Sequence, residues 1–209
     1  MRKKKDNARK SFPWFYTSKR QSIIEALCSE SERAQILVLA AMLDDALGEC
    51  LRVRFDREGL QESLKNKLLE GDYALLGSFW ARIVACRAFG IIDQLIYTVL
   101  DAIRSLRNRS AYSDFAVTLT SPENVAPMKT LRDFVDAMLQ SEPNDQAGEA
   151  HRVWESLRKY HSGMKECRDS CTKFPTRGCD KVPSESQCLV HVTAVWVYCY
   201  LAGTAGADT

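Results

Sequence analysis

The sequence predicts an all-α fold, a compact multi-helix domain with a helical C-terminal extension. Three observations predict it. Apolar residues return in steps of three and four along most of the chain, which is the repeat of one helix face. Residues that start and stop helices stand at the ends of those runs, among them Gly90, Asp93 and the pair Ser121 and Pro122. The segment richest in Val and Tyr, Leu189–Ala202, is long for a strand and would have no strand to pair with.

The first helix is expected from Arg33 to Arg54, with Ile36, Leu39, Ala40, Leu43, Leu47, Cys50 and Leu51 on one face. Leu37, Val38 and Met42 widen that stripe, so this helix should be central, although Asp44, Asp45, Gly48 and Glu49 interrupt it. A second helix is expected from about Glu58 to Leu69, ending in the loop "EGDYALLG". Phe79, Ile83, Cys86 and Phe89 mark a third, closed by Gly90 as a C-terminal cap. Asp93 then serves as N-cap of a fourth, with Ile92 packing on Tyr97 as a hydrophobic staple. Its apolar face runs through Leu95, Ile96, Val99, Leu100, Ile103 and Leu106 to Arg107, and the pattern ends near Arg107, Asn108 and Tyr112.

After an extended loop, Ser121 and Pro122 fit the N-cap and first position of a helix carried by Met128, Leu131, Phe134, Val135, Met138 and Leu139. "QSEPNDQAGE" (Gln140–Glu149) reads as a linker, followed by a helix from about Ala150 to Cys171 and a loop around Pro175–Pro183. Leu189–Ala202 is read as the last helix. The chain thus divides into a basic, flexible arm (1–20), a helical domain (21–140) and a Cys-containing helical extension packed on it (141–209).

Charge is distributed unevenly. Residues 1–20 hold eight Lys or Arg against Asp6 alone, which leaves 21 basic and 26 acidic residues in the rest. A net charge of +2 gives the whole protein no general affinity for polyanions. Any weak, non-specific nucleic-acid contact belongs to the arm, through Arg2, Lys3, Lys4, Lys5, Arg9 and Lys10. "SFPWFYTSKRQ" lacks the apolar run of roughly 7–15 residues of a secretion signal. "LVHVTAVWVYCYLA" is shorter than the ~20 residues a membrane span requires. A cytoplasmic location is therefore expected, with the eight cysteines as thiols. Four of them, Cys167, Cys171, Cys179 and Cys188, lie near His161 and His191 in the pattern C-x3-C-x7-C-x8-C. Zinc sites usually use tighter knuckles, and C-x3-C also suits one helix face, so these are weak metal candidates and no cofactor is expected.

No phosphate loop, nucleophile elbow or His-Glu-x-x-His motif is present, and all three histidines lie beyond residue 150. A helix-turn-helix for reading DNA is not evident either. The adjacent acids Asp44 and Asp45 point about 100° apart on a helix and so cannot chelate one ion together. An unpaired guanidinium on an apolar stripe is costly. One of these acids is therefore expected to pair with Arg82 or Arg107, joining two helices.

"LVLAAMLDDALGECLR" (Leu37–Arg52) and "LLGSFWARIVACRAFGIIDQLIYTVLDAIRSLRNRSAYS" (Leu75–Ser113) together resemble the mannitol operon repressor family of bacteria. The shared pattern is a helix with a Leu-Asp-Asp centre and a Leu-Gly-Ser-Phe-x-x-Arg-Ile helix. A Gly-containing break follows, then a helix ending near Arg-Asn. The likeness spans roughly Arg33 to Leu139. It implies an all-α fold and a role in transcriptional regulation exerted through protein partners, without a DNA-reading motif of its own, and oligomers are compatible with it. The ending also resembles the Arg-Asn-x-x-x-His signature of the HEPN superfamily (higher eukaryotes and prokaryotes nucleotide-binding). Arg107 and Asn108 match it, while Tyr112 replaces the histidine. A phenol of pKa ~10 is poorly suited to acid-base work near neutral pH. The implied alternative is thus a catalytically impaired RNA- or nucleotide-binding protein.

Overall fold

A computed structural model describes residues 31–71, 73–112, 118–141 and 184–206, with the isolated positions 158 and 162. The fold is all-α. Six α-helices and one 3-10 turn make up the regular structure of the described residues, without a strand.

Helix α1 (Glu32–Arg57) is the longest and the most central. Ser31 caps it by accepting the Ala34 N–H at 3.2 Å. The expected stripe is buried in full, and Ala46 and Phe55 extend it. Val38 does not widen it: this side chain is 41% exposed, because it shares the outward face with Ala41 and Asp45. The helix runs unbroken through Asp44, Asp45 and Gly48.

Its end explains why the next helix starts later than expected. Gly59 adopts φ 71°, the Gly59 N–H bonds the Asp56 carbonyl, and the Leu60 N–H bonds that of Phe55. This is a Schellman closure, and it carries the chain past Glu58 before α2 (Glu62–Leu69) can begin. Helix α2 is tied to α1 by polar contacts. Arg52 donates to Glu62 at 3.0 Å and pairs with Glu70, and the buried Lys65 ammonium pairs with Asp56 and Glu62.

Helix α3 (Phe79–Ala88) starts at Ser78, whose hydroxyl accepts the Ala81 N–H at 3.2 Å. Gly90 closes it as anticipated, with Ile91 N–H on the Cys86 carbonyl at 2.9 Å. Phe89 is not a core residue. It is the C-cap, half exposed, with its ring edge against Phe55 at 5.9 Å. Helix α4 (Gln94–Tyr112) is capped by Asp93, which accepts the Ile96 N–H at 2.8 Å, and Ile92 is buried with Tyr97 packed on the core.

Two corrections concern α4. Leu95 is exposed and Arg107 half-buried, so the buried face is narrower than the apolar pattern and rotates through Ile96, Val99, Leu100, Ile103, Leu106 and Ser110. The helix also continues to Tyr112, so Arg107 and Asn108 lie inside it and not at its end.

Pro122 opens a 3-10 turn (Pro122–Asn124), and the α-helix proper, α5, begins at Val125 and runs to Gln140. Ser121 does not cap this turn with its side chain; the hydroxyl accepts the Thr118 N–H instead. Helix α6 (Glu185–Gly206) starts earlier than the Val-rich stretch, because Ser184 and Gln187 form a reciprocal capping box. The linker at 142–149 and the helix and loop expected between 150 and 183 lie outside the described residues, except that Arg158 and Ser162 are helical.

Four helices close a ring around one core: α1 packs on α4, α4 on α5, α5 on α6, and α6 back on α1. Val190, Val192, Ala194, Val197 and Leu201 place α6 in the same apolar cluster as α1. Helix α3 lies against α1 and α4, and α2 against α1. One end of the ring is pinned by Glu32, whose carboxylate accepts the Leu119 N–H at 2.8 Å and the Ser184 hydroxyl at 3.1 Å.

Candidate functional site

The residues singled out in the sequence fall into two neighbouring groups around α3 and α4. The first centres on Arg82. From the first turn of α3 its guanidinium reaches four acceptors. They are the Leu76 carbonyl at 2.9 Å, the Leu69 carbonyl at 3.1 Å, and the Asp44 carbonyl at 3.1 Å and carboxylate at 3.0 Å. One side chain thus joins α1, the end of α2 and the loop before α3. Gly48, one turn beyond Asp44, leaves room for it: a Cβ there would lie 3.3 Å from the Arg82 Nη1 atom.

The expected ion pair is therefore present, between Asp44 and Arg82. Asp45 is exposed, as the angle between adjacent helix positions requires. Burial lifts the Asp44 carboxyl above its ordinary range, and the Arg82 charge and hydrogen bond pull it back only part of the way. Asp45 adds to the rise, while Arg107 opposes it more weakly than Arg82 does.

The second group lies along α4. Arg107 donates to Asn108 at 3.0 Å and forms no ion pair among the described residues. Tyr112 is 81% exposed. Arg107 and Tyr112 are five residues apart, which turns them roughly 140° from each other around the helix. The two side chains of the Arg-Asn-x-x-x-Tyr signature therefore do not converge on one point of a single chain.

Residues that the sequence did not single out occupy this edge. Arg104 lies 4.6 Å over the Trp80 ring and pairs with Asp101 at 2.7 Å, and Tyr97 lies 6.3 Å from Trp80. Arg33, from the start of α1, donates to the Ala111 carbonyl at 3.3 Å. The available signal was Trp80 itself: it follows buried Phe79 by one position and precedes Val84 by four, so Trp80 and Val84 share the face of α3 opposite the core.

Cys50 and Cys86 are buried between α1, α3 and α6, with Cys50 Sγ donating to the Leu201 carbonyl at 3.4 Å. Burial pushes the Cys86 thiol far up, and Cys50 adds to the effect, so this sulfur is held in its unreactive, protonated form. Among the described residues no three His, Cys, Asp or Glu side chains are placed to hold a metal. Cys188 is half-buried against the core; Cys167, Cys171 and Cys179 lie outside the described residues. So do the arm positions Arg2, Lys3, Lys4, Lys5, Arg9 and Lys10. No described helix is long and apolar enough to cross a membrane.

Comparison with protein-family models, curated proteins and solved structures finds no match to this chain.

Proposed function

We propose that the protein is a bacterial regulatory module that works by binding another protein and performs no catalysis, the role implied by its likeness to mannitol operon repressors. The observation that carries this reading is the pairing of Trp80 with Arg104 on an accessible face. Trp80 is 43% exposed, yet it is held in one orientation by Arg104 and Tyr97. Trp, Tyr and Arg are the residue types that dominate binding energy at protein interfaces, and pre-ordered side chains lose less entropy on association. By contrast, the polar residues Asp44, Ser78 and Arg82 of the family-like block are engaged in joining and capping helices, with Gly48 leaving room for Arg82.

The alternative, an RNA- or nucleotide-binding protein of HEPN type, draws support from Arg107 and Asn108. Among the described residues these share one hydrogen bond and leave further donors and acceptors open at a half-buried edge.

In-cell cross-linking in the native host, with wild-type protein beside Trp80→Ala, tests the two readings together. A protein adduct lost on Trp80→Ala, from a purified chain whose absorbance ratio shows no bound nucleic acid, is the expected result. Tightly retained RNA, or cleavage of single-stranded RNA that Arg107→Ala abolishes, would sink the module reading.

A further inference from the structure

The outward edge of α4 forms a continuous strip. Tyr97, Asp101, Arg104, Asn108 and Ala111 follow one another in steps of four and three, so they share one face. Trp80 borders the strip at its start, through Tyr97 and Arg104, and Arg33 borders it at its end, at the Ala111 carbonyl. Arg107 lies beside Asn108 between them.

Among the described residues, charge along this strip is unbalanced. Arg33, Arg104 and Arg107 supply three guanidiniums, and Asp101 is the carboxylate that pairs within it. Asp44, whose field reaches Arg107, is already bound by Arg82. Arg104, Arg107 and Asn108 are half-buried and hydrogen-bonded, Arg104 to Asp101 and Arg107 to Asn108, which reduces the side-chain freedom lost on binding. An exposed Trp80 and Val84 stand next to this positive edge.

Building on the interaction-module reading, we propose that this strip is the docking surface for an acidic segment of a partner protein. The segment sets carboxylates along Arg104, Arg107 and Arg33 and one aliphatic or aromatic side chain against Trp80. Guanidinium forks match carboxylates in planar, bidentate geometry, and an adjoining aromatic face gives the segment an apolar anchor. Charge argues against the other occupants. The chain's own N-terminal arm is strongly basic and would be repelled. A nucleic acid brings one phosphate per nucleotide along an unbroken backbone, and Asp101 within the strip would face that continuous charge.

The test uses the full chain and a phage-displayed library of random dodecapeptides. The library is panned on wild-type protein and counter-selected on the Arg104→Gln/Arg107→Gln double variant. Enriched peptides should be net acidic with one large apolar residue. Measured by fluorescence anisotropy, they should bind the double variant and Trp80→Ala at least tenfold more weakly, with thermal midpoints near wild type. If Trp80→Ala proves poorly folded, the double variant alone decides.

Failure to enrich acidic peptides, or equal binding to wild type and double variant, overturns the assignment. So does a wild-type dimer, seen by sedimentation, that Trp80→Ala dissociates, because a second copy is then the occupant. A fluorescein-labelled oligouridylate that binds wild type and is lost in the double variant overturns both this assignment and the module reading. A host protein adduct that persists in the double variant and in Trp80→Ala removes the strip alone and leaves the module reading standing.

Discussion

Arg82 and Arg104 project from adjacent helices and are both partly buried, at 15% and 29% side-chain exposure, yet their guanidiniums serve opposite ends. Arg82 makes four hydrogen bonds, three of them to backbone carbonyls 6, 13 and 38 residues away. Arg104 makes its bonds within its own helix and stacks on an exposed ring. The first arrangement determines where α1, the end of α2 and α3 sit. The second holds a side chain in shape at the surface without joining helices through polar contacts. A charge in the first setting should be indispensable to stability, and a charge in the second dispensable to stability and important to binding.

The largest expected effect is on the Arg82 side. Arg82→Ala strands a half-buried carboxylate and leaves the Leu69 and Leu76 carbonyls without their donor. A loss of ~3–5 kcal/mol in urea unfolding is expected, the range for breaking a buried pair on one side. Arg82→Lys should recover little of it, since an ammonium cannot span four divergent acceptors as the planar fork does. A loss under ~1 kcal/mol would place Arg82 in the same class as an exposed ion pair and erase the comparison.

A second, smaller effect tests the same clamp by sign. Gly48→Ala in an ordinary helix interior should stabilise by roughly 1 kcal/mol. Here the new methyl would press on a guanidinium that four bonds hold in place, so the substitution should destabilise. In the Arg82→Ala background the obstruction is gone and the ordinary stabilisation should return. The double-mutant cycle therefore predicts a reversal of sign, which a passive glycine would not produce.

The pH dependence follows from Asp44. Its folded-state pKa is raised above the unfolded value, so the folded state binds the proton more tightly. Stability from this group is greatest below the unfolded value of ~3.9 and declines as pH rises through the folded value. Asp44→Asn has no such term. The stability gap between wild type and Asp44→Asn should therefore shift against wild type as pH is raised from about 4 through that window. A gap that moves the opposite way would mean that Arg82 outweighs burial and that the pKa is depressed.

The two regions were unequally legible in the sequence, for a physical reason. Caps and closures depend on residues a few positions apart, and so Asp93, Gly90 and the burial of Ile36 through Leu51 could be read from spacing. The Asp44–Arg82 pair could be inferred from the cost of an unpaired charge, but three of the four Arg82 acceptors are carbonyl oxygens, which every residue has and no pattern marks. Arg107 lies half-buried at the border of the apolar face, because periodicity defines a face only to within one position. Arg33 and Glu32 could not be foreseen at all, since their partners lie 78 to 152 residues away.

On the α4 side the expected stability effects are small. Arg107→Ala removes a neighbour bond and a weak charge interaction with Asp44, so a change below ~1 kcal/mol is expected, with the functional consequence read in partner binding. A loss as large as that of Arg82→Ala would make Arg107 a second clamp.

The smallest effect is that of Tyr112→His. The side chain is exposed, so stability should stay within ~0.5 kcal/mol of wild type. The substitution completes the Arg-Asn-x-x-x-His signature and supplies a group of pKa ~6.5, suited in principle to proton transfer. Chemistry also requires convergence, however, and the ~140° between positions 107 and 112 points the two side chains to different sides of α4. The variant monomer should therefore leave single-stranded RNA intact. Cleavage by Tyr112→His that disappears on adding Arg107→Ala would show that the two groups do meet. The α4 edge would then be a dormant catalytic site, and its contrast with the Arg82 clamp would be one of lost chemistry and not of binding.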